Sequence, residues 1–79
     1  MRALIQRVSM SQVRVDGVTI GQIEQGLLVL LGVAPDDKLA DRDWLLRKIL
    51  NLRIFADEEG RMNHSVTDIQ GGLLVISQF

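Results

Sequence analysis

The sequence predicts an α+β domain, laid out β-β-β-α-β-β-β, with helix and sheet sharing one core. Three observations predict it. Apolar and polar residues alternate through the first part of the chain, as half-buried strands require. One helical apolar stripe follows the turn at Pro35. Two short, wholly apolar runs, 27–31 and 73–76, suit central strands covered on both faces.

Taken in order, "ALIQRV" and "SQVRVDGVTIGQI" read as strands, with Val13, Val15, Val18 and Ile20 supplying β-branched content. Asp16-Gly17 is a hairpin signal, because both residues tolerate positive φ. Gly21 and Gly26 punctuate the segments that follow, and "GLLVLLGV" is the first all-apolar strand. Pro35-Asp36-Asp37 turns the chain and offers an aspartate N-cap for a helix over about 38–51. Leu39, Leu46, Ile49 and Leu50 form its stripe, with Leu45 on the flank. Asp41 and Asp43 near its start and Arg47 and Lys48 near its end suit the macrodipole. "LRIFADEEGRMN" then reads as strand, acidic turn and returning strand, with Gly60 at the left-handed position. "HSVTDIQGG" is polar and irregular, and Gly71-Gly72 releases the chain into "LLVISQF". Gly-Leu-Leu-Val occurs at 26–29 and again at 72–75; shared strand vocabulary accounts for this better than an internal repeat.

With 79 residues the chain is a single domain or part of one. A core of this size supplies only about 3–5 kcal/mol, so small domains lean on disulfides, metals or partners. The absence of cysteine excludes disulfides, iron–sulfur clusters and thiolate zinc sites, and the lone His64 cannot build a histidine-rich metal site. No cofactor is expected. A partner surface or further chain is then the expected source of stability. One helix cannot cover two all-apolar strands on both faces, and "LLVISQF" has no local partner after it. An unpaired strand of that kind is an aggregation template. The expectation is a single partial domain over 1–79, with a C-terminal half, or a complementing chain, still to be added. A hydrophobic fraction of 47% argues against intrinsic disorder, and a net charge of −1 carries no bulk signature of nucleic-acid or membrane attraction. Arg7, Arg14 and Asp16 interrupt any secretory leader, and the apolar runs are too short to span a bilayer. A cytoplasmic protein with no membrane partner is expected.

The residues that could carry chemistry are few. His64 has no carboxylate to orient it beyond Asp68. Asp57-Glu58-Glu59 lacks calcium-loop spacing and reads as a solvated hairpin tip. Gly71-Gly72 opens no helix, so it is no phosphate cradle. Arg7 lies in an otherwise apolar strand, where an inward arginine must be paired and an outward one is ordinary. Ser77, Gln78 and Phe79 end a buried strand, where a rigid rim suits a site but strands also turn polar simply on leaving the core. Pattern alone decides neither case.

The stretches "MRALIQRV", "GLLVLLGV", "DWLLRKILNLRIFADEEGRMN" and "LLVISQF", in that order, resemble the N-terminal part of the D-aminoacyl-tRNA deacylases. The resemblance covers essentially the whole chain. It implies a mostly antiparallel, barrel-like β core with one packed helix, here incomplete. In that family the last stretch begins a Ser-Gln-Phe-Thr-Leu motif lining the active site, so Ser77, Gln78 and Phe79 match its first three positions as substrate-pocket residues with main-chain donors. The residues at that motif favour the D-specific branch over the related deacylases with a trans Gly-Pro bond. The family's second motif, a cis Gly-Pro, has no counterpart here, since Pro35 follows Ala34. Arg7 matches a position that supports the Gly-Pro loop. The resemblance further implies an editing hydrolase acting on the acceptor end of D-aminoacyl-tRNA, and on glycyl esters, as a homodimer whose Gly-Pro motif enters the partner's pocket. No protein acid or base is essential in such a mechanism. A reading of a different class is a non-catalytic domain that assembles through its exposed strand edge.

Overall fold

The computed structural model describes residues 1–78. Its strands are β1 (Arg2–Val8), β2 (Ser11–Val15), β3 (Val18–Ile23), β4 (Gly26–Gly32), β5 (Phe55–Ala56), β6 (Met62–His64) and β7 (Gly72–Gln78), with helix α1 (Leu39–Asn51) between β4 and β5. Four strands, not three, precede the helix. The Asp16-Gly17 turn, with φ of 50° and 79°, splits "SQVRVDGVTIGQI" into the β2–β3 hairpin. Positive φ at both central residues is what a tight hairpin of the right twist requires. Gly60, at φ 79°, does similar service between β5 and β6.

β4 is the centre of the fold. It pairs antiparallel with β1 and parallel with β7, giving the order β1-β4-β7. The β1–β4, β2–β3 and β5–β6 pairs are all antiparallel, in keeping with the expected mostly antiparallel core. Side chains alternate across a strand, so the register puts Ile5, Leu27, Val29, Leu73 and Val75 on one face. Helix α1 and the segment after it cover that face: Leu27, Val29, Ile49, Phe55 and Val66 are buried, with Ala3, Ile5, Leu45, Leu50, Ile54, Ile69 and Leu73 packed around them.

Cover on both faces was expected for β4 and β7; among the described residues the second face is covered only in part, where β3 approaches β7 and Gly21 stands against the Leu74 side chain. The other face carries Leu4, which is 67% exposed, with Leu28, Leu30, Leu74 and Ile76 only half-buried. The molecule is 15 Å thick, room for two layers and no third. Its accessible surface of 6051 Å² exceeds the roughly 4,800 Å² of a compact monomer of this mass.

The helix departs from expectation at its start. Lys38, not an aspartate, is the N-cap, and its amide donates to Asp41 Oδ2 at 2.9 Å. Asp37 instead accepts from the Ala34 amide at 2.7 Å and from the Met1 ammonium at 2.8 Å, closing the turn after β4 onto the start of β1. The expected stripe is also only partly used. Ile49 is buried, whereas Leu39 and Leu46 are exposed. Leu46 stands at the wall of an unfilled groove between helix and sheet, so it has nothing to pack against on that side.

"HSVTDIQGG" is more ordered than its polarity suggests. His64 ends β6 rather than lying in a loop, and Ser65 and Val66 are buried. The Ser65 amide donates to Asp68 Oδ2 while the Asp68 amide donates to Ser65 Oγ, a reciprocal lock that holds the turn. The turn ends with Gln70 at φ 53° and delivers Gly72 against β4.

Candidate functional site

The strand that ends in Ser77-Gln78 is positioned by a contact between two glycines. Gly26 and Gly72 face each other at the start of the β4–β7 pair, and a Cβ on Gly26 would lie 2.0 Å from the Gly72 carbonyl oxygen. The Gly72 amide also donates to the Gln25 carbonyl at 3.0 Å. From there the register runs unbroken to Leu31↔Ser77 and Gly32↔Gln78. Ser77 is exposed and shares its face with Leu73 and Val75. Beside it lies an open, apolar groove of about 180 Å³, walled by Val29, Leu31, Leu45, Leu46, Ile49 and Val75 among others. Among the described residues no strand pairs with the outer edge of β7. Phe79, the third expected motif residue, lies outside the described residues.

Arg7 shares the helix-side face but stands at the far end of the sheet, opposite Leu27 and, beyond it, Leu73. It is exposed, and its guanidinium donates to the Ile54 carbonyl in the segment leaving α1. Both sequence readings hold in part: the arginine is solvent-accessible, yet tied to the fold. Arg7 and Ser77 are separated by about 13 Å along the strands and about 10 Å across them. One chain therefore does not bring them together.

Among the described residues no side chain is poised as an acid or base, and three carboxylates have displaced pKa values, all of them lowered. Asp37 is lowered mainly by the Met1 ammonium and then by the Ala34 amide. The Arg61 amide, with help from that of Glu59, lowers Asp57, and the Ser65 amide lowers Asp68. Each is held as an anion by donors it already has, the opposite of what a general acid needs. The hairpin-tip Asp57 is thus a turn acceptor. His64 Nδ1 lies 3.9 Å from Asp68 Oδ2, too far for an orienting hydrogen bond.

Trp44 carried no role in the sequence reading, although its place was readable. At 100° per residue it stands about 140° around the helix from Ile49, well off the core stripe. The side chain is 57% exposed, with Lys48 Nζ 5.6 Å from its ring centroid.

Against known proteins, the family model for D-Tyr-tRNA(Tyr) deacylase matches residues 4–79. The D-aminoacyl-tRNA deacylase of Clostridioides difficile is 65% identical over 79 residues, and that of Syntrophomonas wolfei 60%; each alignment covers 100% of this chain and 53% of the relative. The solved structure of the c-Myc DNA Unwinding Element Binding Protein shares the fold with a TM-score of 0.95 at 44% identity, over 100% of this chain and 54% of that one. The chain thus spans about half the length of the curated relatives it matches. With the β4–β7 pair ending in Ser77-Gln78 and a family match across nearly every residue, this chain belongs to the D-Tyr-tRNA(Tyr) deacylase family.

Proposed function

We propose that the protein containing this chain is an aminoacyl-tRNA editing hydrolase. Water cleaves the ester joining a D-amino acid to the terminal adenosine of tRNA, the ester oxygen leaves with a proton as the free ribose hydroxyl, and the amino acid is released. Glycyl esters, which carry no side chain, are also accepted. The family match over residues 4–79 carries this reading.

Ser77, Gln78 and Phe79 line the substrate pocket and act through main-chain donors, which stabilise the oxyanion that develops on the ester carbonyl. The tRNA 2′-hydroxyl assists, so no titrating side chain is required; the three anionic aspartates fit that division of labour. Selectivity is by exclusion, the carbonyls of a Gly-Pro motif in the remainder of the protein crowding an L side chain. The protein works as a cytoplasmic homodimer. Arg7 supports the Gly-Pro loop, and its distance from Ser77 within one chain suits a loop that serves the partner's pocket. Assembly through the open β7 edge, without catalysis, is the second reading; the lack of a strand beyond β7 among the described residues favours it.

The test uses this chain continued by the C-terminal segment of the Clostridioides difficile relative, hereafter the completed protein. It should hydrolyse D-tyrosyl-tRNA and spare L-tyrosyl-tRNA, while the 79-residue chain alone, shown to be monodisperse, is inactive. An inert completed protein that still dimerises would establish assembly instead. D-selective turnover by the short chain would remove the Gly-Pro gate from the mechanism.

A further inference from the structure

We propose that the outer face of α1, formed by Trp44, Arg47, Lys48 and Asn51, docks the RNA whose 3′ end enters the pocket at Ser77. The proposal rests on the editing function above and adds the surface that holds the nucleic acid. These four residues follow the i, i+3, i+4, i+7 spacing, so they form one stripe, and together they line a shallow concavity.

A single exposed apolar side chain is ordinary, and cations near a helix C-terminus suit its dipole. What surrounds Trp44 is less ordinary. The acids of α1 are already engaged: Asp41 accepts from the Lys38 amide, and Asp43 pairs with Arg42 at 3.3 Å. Among the described residues neither Arg47 nor Lys48 has an acidic partner. The Asn51 amide donates to the Arg47 carbonyl, which fixes the last turn without neutralising it. Lys48 lies over the Trp44 ring at 5.6 Å from its centroid, and the tryptophan is still 57% exposed. An exposed indole beside two cations without acidic partners is the chemistry that stacks a base and holds its phosphates.

Position supports the same partner. Trp44 lines a recess with Met1 and Asp37. Met1 precedes Arg2, which pairs with Gly32, which pairs with Gln78, so Trp44 stands at the end of the sheet that carries Ser77. Arg47, Lys48 and Asn51 then run up to about 10 Å along the helix from Trp44. A single-stranded end reaching Ser77 would pass the cations first and the stacking platform last. Recognition of unpaired bases by stacking needs no large basic surface, which fits the net charge of −1.

The experiment titrates the completed protein into an unacylated acceptor-stem RNA hairpin with a single-stranded 3′ end and a fluorescein label in its loop, and affinity is read from the anisotropy of the label. Trp44 is the only tryptophan of this chain; any in the added segment are replaced by phenylalanine. Its emission should be open to acrylamide before binding and quenched by the RNA. Trp44→Ala, and separately Arg47→Glu with Lys48→Glu, should each weaken binding about tenfold, as expected for one stacked base or two phosphate contacts at low salt. Arg61→Glu on the β5–β6 hairpin makes the same kind of charge change away from the surface and should move the affinity less than threefold. Circular dichroism confirms that each variant keeps its helix. Equal effects of the helix and hairpin charge reversals would overturn the proposal. So would a Trp44 shielded before RNA is added, whether by the added segment or by a second copy. Because the RNA carries no amino acid, loss of ester hydrolysis with binding intact would count against the editing function and not against this surface.

Discussion

Gly26→Ala should displace the strand that carries the site. The added Cβ would meet the Gly72 carbonyl oxygen at 2.0 Å, its nitrogen at 2.7 Å and its carbon at 2.8 Å, where ordinary contact begins at 3.4 Å. All three are backbone atoms, so no side chain can swing aside. Restoring contact means moving the two strands more than 1 Å apart, roughly, at a spacing that is normally about 4.8 Å. That shift also breaks the 3.0 Å bond from the Gly72 amide to the Gln25 carbonyl. Overpacking costs about 1–3 kcal/mol and the lost bond about 1 kcal/mol more, so the variant should lose roughly 3 kcal/mol. Gly32→Ala is the control, because its Cβ would find only the Arg2 carbonyl oxygen at 3.8 Å. In urea unfolding of the completed protein, with a slope near 1.5 kcal/mol/M, the Gly26 variant's midpoint should fall by about 2 M. The control should stay within about 0.3 M of the parent. Midpoints for the two variants within about 0.5 M of each other would refute the argument that the glycine contact sets the position of β7.

Arg7→Ala removes one exposed hydrogen bond to the Ile54 carbonyl, so its melting temperature should fall by only about 5 °C. D-over-L selectivity should drop by more than about tenfold; unchanged turnover of both esters would remove Arg7 from the site. For Asp37, the folded-state pKa lies below its ordinary 3.8, so the pair with Met1 stabilises the fold above that value and is lost as the pH falls through the lowered one. The gap in urea midpoint between the parent and Asp37→Asn should therefore be full at pH 7 and shrink below about pH 4; a gap independent of pH would contradict the ion pair.

Much of the fold follows from local signals. Strong turn chemistry at Asp16-Gly17 and Gly60 and the apolar run of β4 each left one reasonable local structure, and the chain adopts it. The departures arise where the deciding contact is remote in sequence. Asp37 looked like a helix cap because its neighbours are turn formers, yet the ammonium of Met1 and the Ala34 amide compete for its carboxylate. Val66 sits in a polar stretch and is buried because it joins a core built by Leu27, Val29, Ile49 and Phe55, all from other elements of the chain. Periodicity assigns Leu39 and Leu46 to the core stripe, but a stripe is filled only where another element reaches it. None of these could be read from a window of neighbouring residues.

The candidate site is harder to read than the fold, because the chemistry proposed for it runs on main-chain amides. A reaction run by side chains leaves a mark in sequence, because nucleophiles, bases and metal ligands are particular residue types at particular spacings. Main-chain amides are present at every position but proline and leave no such mark. A search for titratable groups with displaced pKa values finds Asp37, Asp57 and Asp68, and each is an anion held by local donors rather than a participant. Ser77 and Gln78 stand out only by where their strand ends, and that position depends on two glycines meeting across β4 and β7, 46 residues apart in the chain. Their proposed role rests on resemblance, which compares whole stretches and asks nothing of side-chain chemistry. The α1 surface is the converse case. Trp44, Arg47 and Lys48 are conspicuous residue types, but their meaning depends on which acids are free to neutralise them, and only the hydrogen bonds of Asp41 and Asp43 decide that.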